Sequence, residues 1–549
     1  MVARAQPPAL PPWSADPAVA AGPPPALGDL LTAPARKWPD RTAIDDGAVT
    51  HTFAELEQGA LAVAGWLAAQ GVGAGDRVVV LAEKRAVMPM IILGVWKRGA
   101  VHVPLDATEP EARLRGLLAR LRPAAVIALG DRRPPAPGTP LLGGERLAEV
   151  LAGPAAPHPT VAHGPEDVAY VVFASGATGE PQGAEITVDG LYAHFTGHNE
   201  VLRCTPDSRV LSLSPFHFDV SLLDTLLPLS VGAYVHQFRG LPAGAVIRSV
   251  LARRRVTHLL AVTVMLGLVT GDGRQITRAK LPDLELVMTG AQVCHPDVLR
   301  AWTDGLPETR VVQAFGPPEA TIFAFTHTVG PEDTARTTPC PVGGPLGGVR
   351  ARLVRDGAEV HGTDAEGELW IGGPQVMRGY FDQPEETARL VVEADGTRWF
   401  RTGDVCVRDA AGALVLRRHD DERITWLAGR RTHLDEITRA ALGCPGVDRA
   451  VAAPVRRDGR DTVALAVASK DRRTLAEVTE HLRGLLPEPL RPALLAWTPA
   501  EPAPEPGDDG AARELAGRLA QAARTSHSPY VALSADGAVE PIDEVEICP

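Results

Sequence analysis

Tyr170-Val-Val-Phe173 runs straight into Ala174-Ser-Gly-Ala-Thr-Gly-Glu-Pro-Gln-Gly183, an apolar strand followed by a turn dense in glycine and hydroxyl groups. Small residues let backbone N–H groups and hydroxyls close around phosphate oxygens, which bulky side chains would prevent. The same composition also serves simply to reverse the chain, so the segment alone leaves both readings open. Outward from it, Arg77-Val-Val-Val-Leu81, Ala124-Ala-Val-Ile-Ala128, Val210-Leu-Ser-Leu213 and Leu284-Glu-Leu-Val-Met288 are short apolar runs separated by helix-length stretches. That alternation predicts an α/β fold. Thr52-x-x-Glu55 opens a helix as a capping box, with Leu56, Ala60, Val63 and Leu67 at helical spacing behind it.

Composition narrows the function. At 549 residues, 45% hydrophobic and 22% charged, the chain has the make-up of an ordinary globular protein larger than one core supports. A net charge of −12 without a dense basic block argues against nucleic acid as a partner. The longest apolar stretch, Ala86 to Trp96, is too short to span a bilayer, and no basic-then-apolar leader opens the chain. No membrane role is expected, and the default location is cytoplasmic. Six scattered cysteines, Cys204, Cys294, Cys340, Cys406, Cys444 and Cys548, show no metal-ligand spacing and read as free thiols. Lysine occurs only at Lys37, Lys84, Lys97, Lys280 and Lys470.

After Arg418 the texture shifts to short elements: Val451 to Val455, a turn at Asp458-Gly459, Thr462 to Ala468, and a helix opened by Thr474-x-x-Glu477. A small α+β domain fits that pattern. The expected organisation is a Pro/Ala-rich segment over 1–25, a large domain of α/β subdomains over 26–418, a small α+β domain over 419–515 and a C-terminal extension over 516–549.

The glycine-rich turn resembles the phosphate loop of adenylate-forming enzymes, Ser-Gly-Thr-Thr-Gly-x-Pro-Lys-Gly. Upstream, Arg98-Gly-Ala-Val-His-Val-Pro-Leu-Asp-Ala-Thr-Glu-Pro-Glu-Ala-Arg-Leu114 is similar to a signature of the amino-acid-activating adenylation domains of nonribosomal peptide synthetases. Downstream, Phe218-Asp-Val-Ser221, Ala314-Phe-Gly-Pro-Pro-Glu319, Gly367-Glu-Leu-Trp-Ile371, Arg378-Gly-Tyr380 and Arg401-Thr-Gly-Asp404 follow in that family's order. Each is short, but their ordered occurrence is specific.

The resemblance implies a use of ATP and Mg2+, with these parts. Ser175, Gly176, Thr178 and Gly179 would cradle phosphate, and Phe315 would stack on adenine. Glu319 would hold the metal, a task for a hard carboxylate oxygen. Asp404 would accept from both ribose hydroxyls. Arg418 would join the nucleotide site and Asp420 would be the hinge. Asp219 would pair with the α-ammonium of an amino acid, though it could instead cap the helix that begins at Leu222. Val220, Leu223, Leu260, Met288, Gly290, Ala314, Ile322 and Phe323 would line the side-chain pocket, and their apolar character favours a hydrophobic amino acid. Surface turns, Asx-turns or core packing would account equally for Glu319, Asp404 or Phe315 taken singly.

The chain also departs from the family's pattern. The phosphate-loop lysine is Gln182, and in the closing Pro-x-Gly-Lys segment, matched to Pro504-Glu-Pro-Gly-Asp-Asp-Gly510, alignment on Gly507 puts Asp508 in the lysine's place, or Asp509 with a slip of one, and no lysine follows Lys470. Pro318 stands before the metal glutamate where the family has threonine, and the hinge segment Arg417 to Gly429 is lengthened. Removing a cation aimed at developing charge costs a rate factor on the order of a hundred to a thousand. Arg418, Arg430, Arg431 and Arg513 are candidates to compensate. The expectation is a stand-alone, diverged amino-acid adenylating ligase of specialised peptide metabolism that passes its product to a carrier protein in trans or to another nucleophile. The alternatives are a non-catalytic descendant that binds a nucleotide or partner, and the same fold used for other acyl condensation.

Overall fold

The structure is a computed structural model that describes residues 25–542, except 131, 133, 135, 154–158, 177–179, 293, 337, 422, 428–429, 458–459, 500–508 and 535–537, and excepting the side chains of 430 and 509–513. Thr178, Gly179, Asp508, Cys548, the Asp458-Gly459 turn and the side chains of Arg430 and Arg513 therefore lie outside the described residues.

Thr52 caps the helix Phe53–Ala69: its hydroxyl accepts from the Glu55 N–H at 3.2 Å, and the Glu55 carboxylate accepts from the Thr52 N–H at 2.8 Å. Leu56, Ala60, Val63 and Leu67 turn inward to pack with the helix Met88–Lys97, which is buried along its length. Lys97 ends that helix, and Asp29 and Glu57 pair with its ammonium at 3.1 and 2.8 Å, as a buried charge requires.

The apolar runs become strands of two sheets. In one, Arg77–Ala82, Val101–Asp106 and Ala125–Ala128 pair in parallel, and Val168–Ser175 joins them before turning back antiparallel through Pro181–Thr187. In the other, Tyr234–Gln237, Arg209–Ser212, His258–Val262, Leu286–Gly290 and Arg310–Phe315 lie side by side in that order, all parallel. An antiparallel sheet of Arg350–Arg355, Glu366–Gly372, Thr397–Arg408 and Leu414–His419 adds a third layer. Parallel strands leave their carboxyl ends free to build a cleft, the usual ligand site of open α/β sheets. No helix among the described residues is long and apolar enough to cross a membrane.

The segment after His419 begins with the hairpin Ile424–Leu427 and Arg430–His433. A sheet follows, formed by Arg449–Arg457, Arg460–Ala468, Leu494–Thr498, Tyr530–Leu533 and Val539–Pro541. Along its second strand Val463, Leu465 and Val467 pack under the helices Leu434–Leu442 and Thr474–Leu485, while Ala464 and Ala466 face the helix Asp509–Thr525. This two-residue alternation covers both faces of the sheet.

Two expectations change here. Thr474 is the first residue of its helix, behind an Arg473 N-cap without a side-chain bond, so no capping box forms there. The expected break at 515/516 falls inside the helix Asp509–Thr525, and the stretch read as an extension supplies two strands of the sheet, because Leu519, Ala522, Val531 and Leu533 close its second core.

Candidate active site

A cavity of about 610 Å³ opens where the strands of the two parallel sheets end. Glu83 and Lys84 follow one strand, Ala174 lies near the end of another, and Leu213 to Pro215, Phe238 to Gly240 and Ala291 follow others. Asp219, Val220, Ile322 and Phe323 line it, as the motif reading expects, and so do Trp426 and Arg431 from the hairpin. A second cavity of about 230 Å³ lies behind, lined by Ser175, Gln182, Tyr380, Arg401, Asp421 and again Arg431.

The chain is bent sharply to form this wall. Thr321 and Ile322 have φ of 57° and 69°, a left-handed conformation that β-branched residues avoid. The Thr321 hydroxyl donates to the Gln375 carbonyl at 2.6 Å, holding the bend just after the single turn Pro318–Ala320 that carries Glu319. Strain of this kind collects at functional sites.

Of the three motif acids Asp219 lines the larger cavity, and Glu319 lies close enough for its charge to act on Asp219 and on Asp404. Burial pushes the Asp219 carboxyl up to about 7; the Val220 N–H, donating at 2.8 Å, opposes this, and the nearby negative charge of Glu319 adds to it. Burial likewise pushes Asp404 up to about 7, with Arg431 opposing and Glu319 adding. Glu319 itself is 2% exposed; its Oε1 accepts from the Tyr380 hydroxyl at 2.7 Å and meets the Arg431 guanidinium at 3.3 Å. Its Oε2 is buried without a partner among the described residues. Among the described residues no group of three or more His, Cys, Asp or Glu side chains could hold a metal. One carboxylate with a spare oxygen suits Mg2+, which keeps most of its shell for water and phosphate.

The hairpin is bolted to the end of the strand Val168–Ser175. Ser175 Oγ donates to Glu436 and accepts from the His433 N–H at 3.0 Å, while Arg113 pairs with Glu436 from the other side. Arg113 also meets Glu109 at 3.0 Å. Against the effect of burial, Arg423 and His433 hold the Asp421 carboxyl well below the usual carboxylate range. The sequence reading missed Glu436 and Arg113; the available signal was an arginine at position 113 beside the inward Leu114 and Leu117 of the helix Glu111–Leu121.

Not every expected site residue reaches the cleft. Leu223, Leu260, Met288 and Ala314 are at most 3% exposed and pack with Ile322 and Phe323 into the core beneath it. The Phe323 ring lies against Gly290 so closely that a Cβ there would come within 2.7 Å of it. The ring therefore fills the space these five positions were expected to line. The cavity extends instead past Lys84, Glu83, Asp106 and Arg239, so its wall is less apolar than the motif positions imply. Arg418 points away: it is 58% exposed and pairs with Glu366 at 3.0 Å, the nearest acid across the antiparallel sheet. Asp420 follows it, its N–H donating to the Gly403 carbonyl at 2.7 Å. Phe315 packs edge-on against Phe325, ring centres 6.1 Å apart. Asp219 stands just before the helical run that opens at Val220, its carboxylate accepting from the Val220 N–H, while Ser221 makes no side-chain cap bond to Leu222–Leu226. Gln182 is buried and crosses under Gly176, where a Cβ would meet its side chain at 2.4 Å. All five described cysteines are free and buried.

Residues 31–381 match the family described as AMP-binding enzyme. Among curated proteins, the probable non-canonical nonribosomal peptide synthetase CymA of Salinispora arenicola is 32% identical over 495 residues, which are 87% of this chain and 6% of that protein. The phenyloxazoline synthase MbtB of Mycolicibacterium paratuberculosis is 32% identical over 86% of this chain and 40% of its own length. The chain thus spans less than half the length of these relatives. Among solved structures, holo-PA1221, a nonribosomal peptide synthetase protein containing adenylation and carrier (PCP) domains, matches with a TM-score of 0.75 at 23% identity, covering 88% of this chain and 82% of that one.

Proposed function

Since the chain belongs to the AMP-binding enzyme family, whose members form adenylates with ATP, we propose that it activates an amino acid as its aminoacyl-adenylate. What supports this reading is the position of Asp219 on the larger cavity with Glu319 close behind, its charge acting on both Asp219 and Asp404.

A buried Glu319 beside half-buried Asp219 and Asp404 calls for cationic or hydrogen-bond-donating ligands, since unpaired charges are costly to bury. Asp219 takes the α-ammonium and Asp404 takes the ribose hydroxyls, with Phe315 at the base. The substrate side chain lies against Val220, Ile322 and Phe323, which favours a hydrophobic amino acid. Ser175 and the turn after it meet the phosphates, and Glu319 holds Mg2+ through Oε2. Bound there, the ion would supply positive charge to the phosphates as negative charge builds. Asp420 is the point about which the small domain, here 419 onward, turns against the large one. The acyl group then passes to a carrier protein, a partner suggested by the carrier domain that accompanies the adenylation domain in PA1221.

Amino-acid-dependent exchange of pyrophosphate into ATP tests the reading across the proteinogenic amino acids. Exchange with one or a few hydrophobic amino acids is expected. Nucleotide binding with no exchange for any amino acid would refute it and favour a binding or regulatory role.

A further inference from the structure

Family resemblance leaves the cleft short of two cations, at Gln182 and Asp508. Resting on the function proposed above, we propose that Arg431 is the cation of the adenylation step, standing in for both missing lysines.

Position carries the inference. Arg431 lines both cavities, the one containing Asp219 and the one containing Ser175 and Gln182. It thus stands where an amino-acid carboxylate coming from one side would meet an α-phosphate coming from the other. Its guanidinium is 17% exposed, 3.3 Å from Glu319 Oε1 and close enough to Asp404 to oppose the rise of that carboxyl. The backbone that carries it is fixed from both directions. Arg431 sits opposite Trp426 in the hairpin, and two residues on, the His433 N–H is bonded to Ser175.

Other described cations around the cleft are committed elsewhere. Lys84 donates to the Ser212 carbonyl at 2.9 Å, and Arg239 pairs with Asp46 at 3.3 Å. Arg389 holds Glu386 at 2.6 Å, Arg401 meets Glu368 at 3.5 Å, and Arg418 faces Glu366. The partner of Arg431 is already served by a second donor: Glu319 Oε1 also accepts from the Tyr380 hydroxyl at 2.7 Å. With Mg2+ held on Oε2, the Tyr380 hydroxyl would keep Oε1 satisfied and leave the guanidinium free to turn to the phosphate.

In the step itself, a carboxylate oxygen of the amino acid bonds to the α-phosphorus. The bond from that phosphorus to its bridging oxygen breaks, its electron pair leaving with pyrophosphate, and no proton moves. Negative charge gathers on the non-bridging oxygens and on the leaving group. A planar guanidinium can donate to the entering carboxylate and to a phosphate oxygen together, which a single ammonium does with less geometric control.

Two measurements test this on the full chain. Calorimetric binding of AMP and of adenosine, without metal, isolates the contact to phosphate: the parent protein should prefer AMP by roughly tenfold or more, and Arg431→Gln should erase that preference while leaving adenosine affinity within about threefold. In the exchange assay Arg431→Gln should lower kcat on the order of a hundred- to a thousandfold with little change in the amino-acid KM. A merely structural role would move adenosine and AMP binding together. Retained AMP preference, or a kcat within about threefold of the parent, overturns the proposal. If Arg431→Gln does not fold, Arg431→Lys decides: it keeps charge but loses the fork, so a roughly tenfold drop in kcat is expected and parental values overturn. Absence of exchange in the parent protein would refute the proposed function, while the AMP and adenosine comparison would still judge Arg431.

Discussion

Replacing Asp219 by asparagine removes the charge assigned to the substrate ammonium while keeping the side chain's shape. The lost interaction is a hydrogen bond between charged groups in a largely dehydrated cavity, worth about 1.5–3 kcal/mol. At about 1.4 kcal/mol per decade this raises the amino-acid KM by roughly 10- to 150-fold. The Asp219 carboxyl titrates at about 7 in the free protein, so the ammonium-binding form is lost as pH falls through that value. Between pH 8 and pH 6 the parent's amino-acid affinity should fall about tenfold, and that of Asp219→Asn should stay level over the same window. Stability carries the opposite trend. With the folded value raised from 3.8 to about 7, the native state keeps a proton that the unfolded chain has released, so this group costs stability as pH rises through that window. Asp219→Asn should therefore gain on the parent in Tm between pH 5 and pH 8. The assays are pyrophosphate exchange with amino-acid titration at four pH values, and scanning calorimetry without ligand. A KM within threefold of the parent, or an undiminished pH dependence in the variant, would show that Asp219 does not hold the amine.

Glu436→Gln leaves Arg113 with Glu109 as its remaining counter-charge and weakens the bond to Ser175, which should cost about 1.5–3 kcal/mol of docking. Hydrogen exchange should then speed up in the hairpin Ile424–His433 and leave the helix Phe53–Ala69 unchanged. Gly290→Ala forces a methyl to within 2.7 Å of the Phe323 ring and 2.8 Å of the Ala314 carbonyl, so denaturant unfolding should show a loss of about 1–3 kcal/mol. The displaced ring should raise the amino-acid KM as well.

The layers of the large domain were legible because they are written locally. The Thr52 cap and the runs that became Arg77–Ala82, Ala125–Ala128 and Arg209–Ser212 need only a short window to be read. The motif acids were legible by resemblance: Asp219 lines the larger cavity, and Glu319 lies near enough for its charge to act on Asp219 and Asp404. What was hidden depends on distant pairing. Ser175 and Glu436 are 261 positions apart and Arg113 and Glu436 are 323 apart, so no window joins them. Arg418 was misplaced because its choice of Glu366 is made by a strand register, not by the segment around it. The side-chain pocket was over-read because residue type at Leu223 or Met288 does not say whether a neighbour such as Phe323 already occupies the space.

The strand Tyr530–Leu533 lies parallel to Leu494–Thr498 and is itself flanked by Val539–Pro541. Shortening the protein at 515 would strip away this outer pair together with most of a helix. The bared rim of Leu494–Thr498 would then offer unpaired amides and an uncovered alanine- and leucine-rich surface, the usual template for intermolecular β-pairing. Expression designs that discard the last three dozen or so residues as a dispensable tag should be expected to yield aggregates.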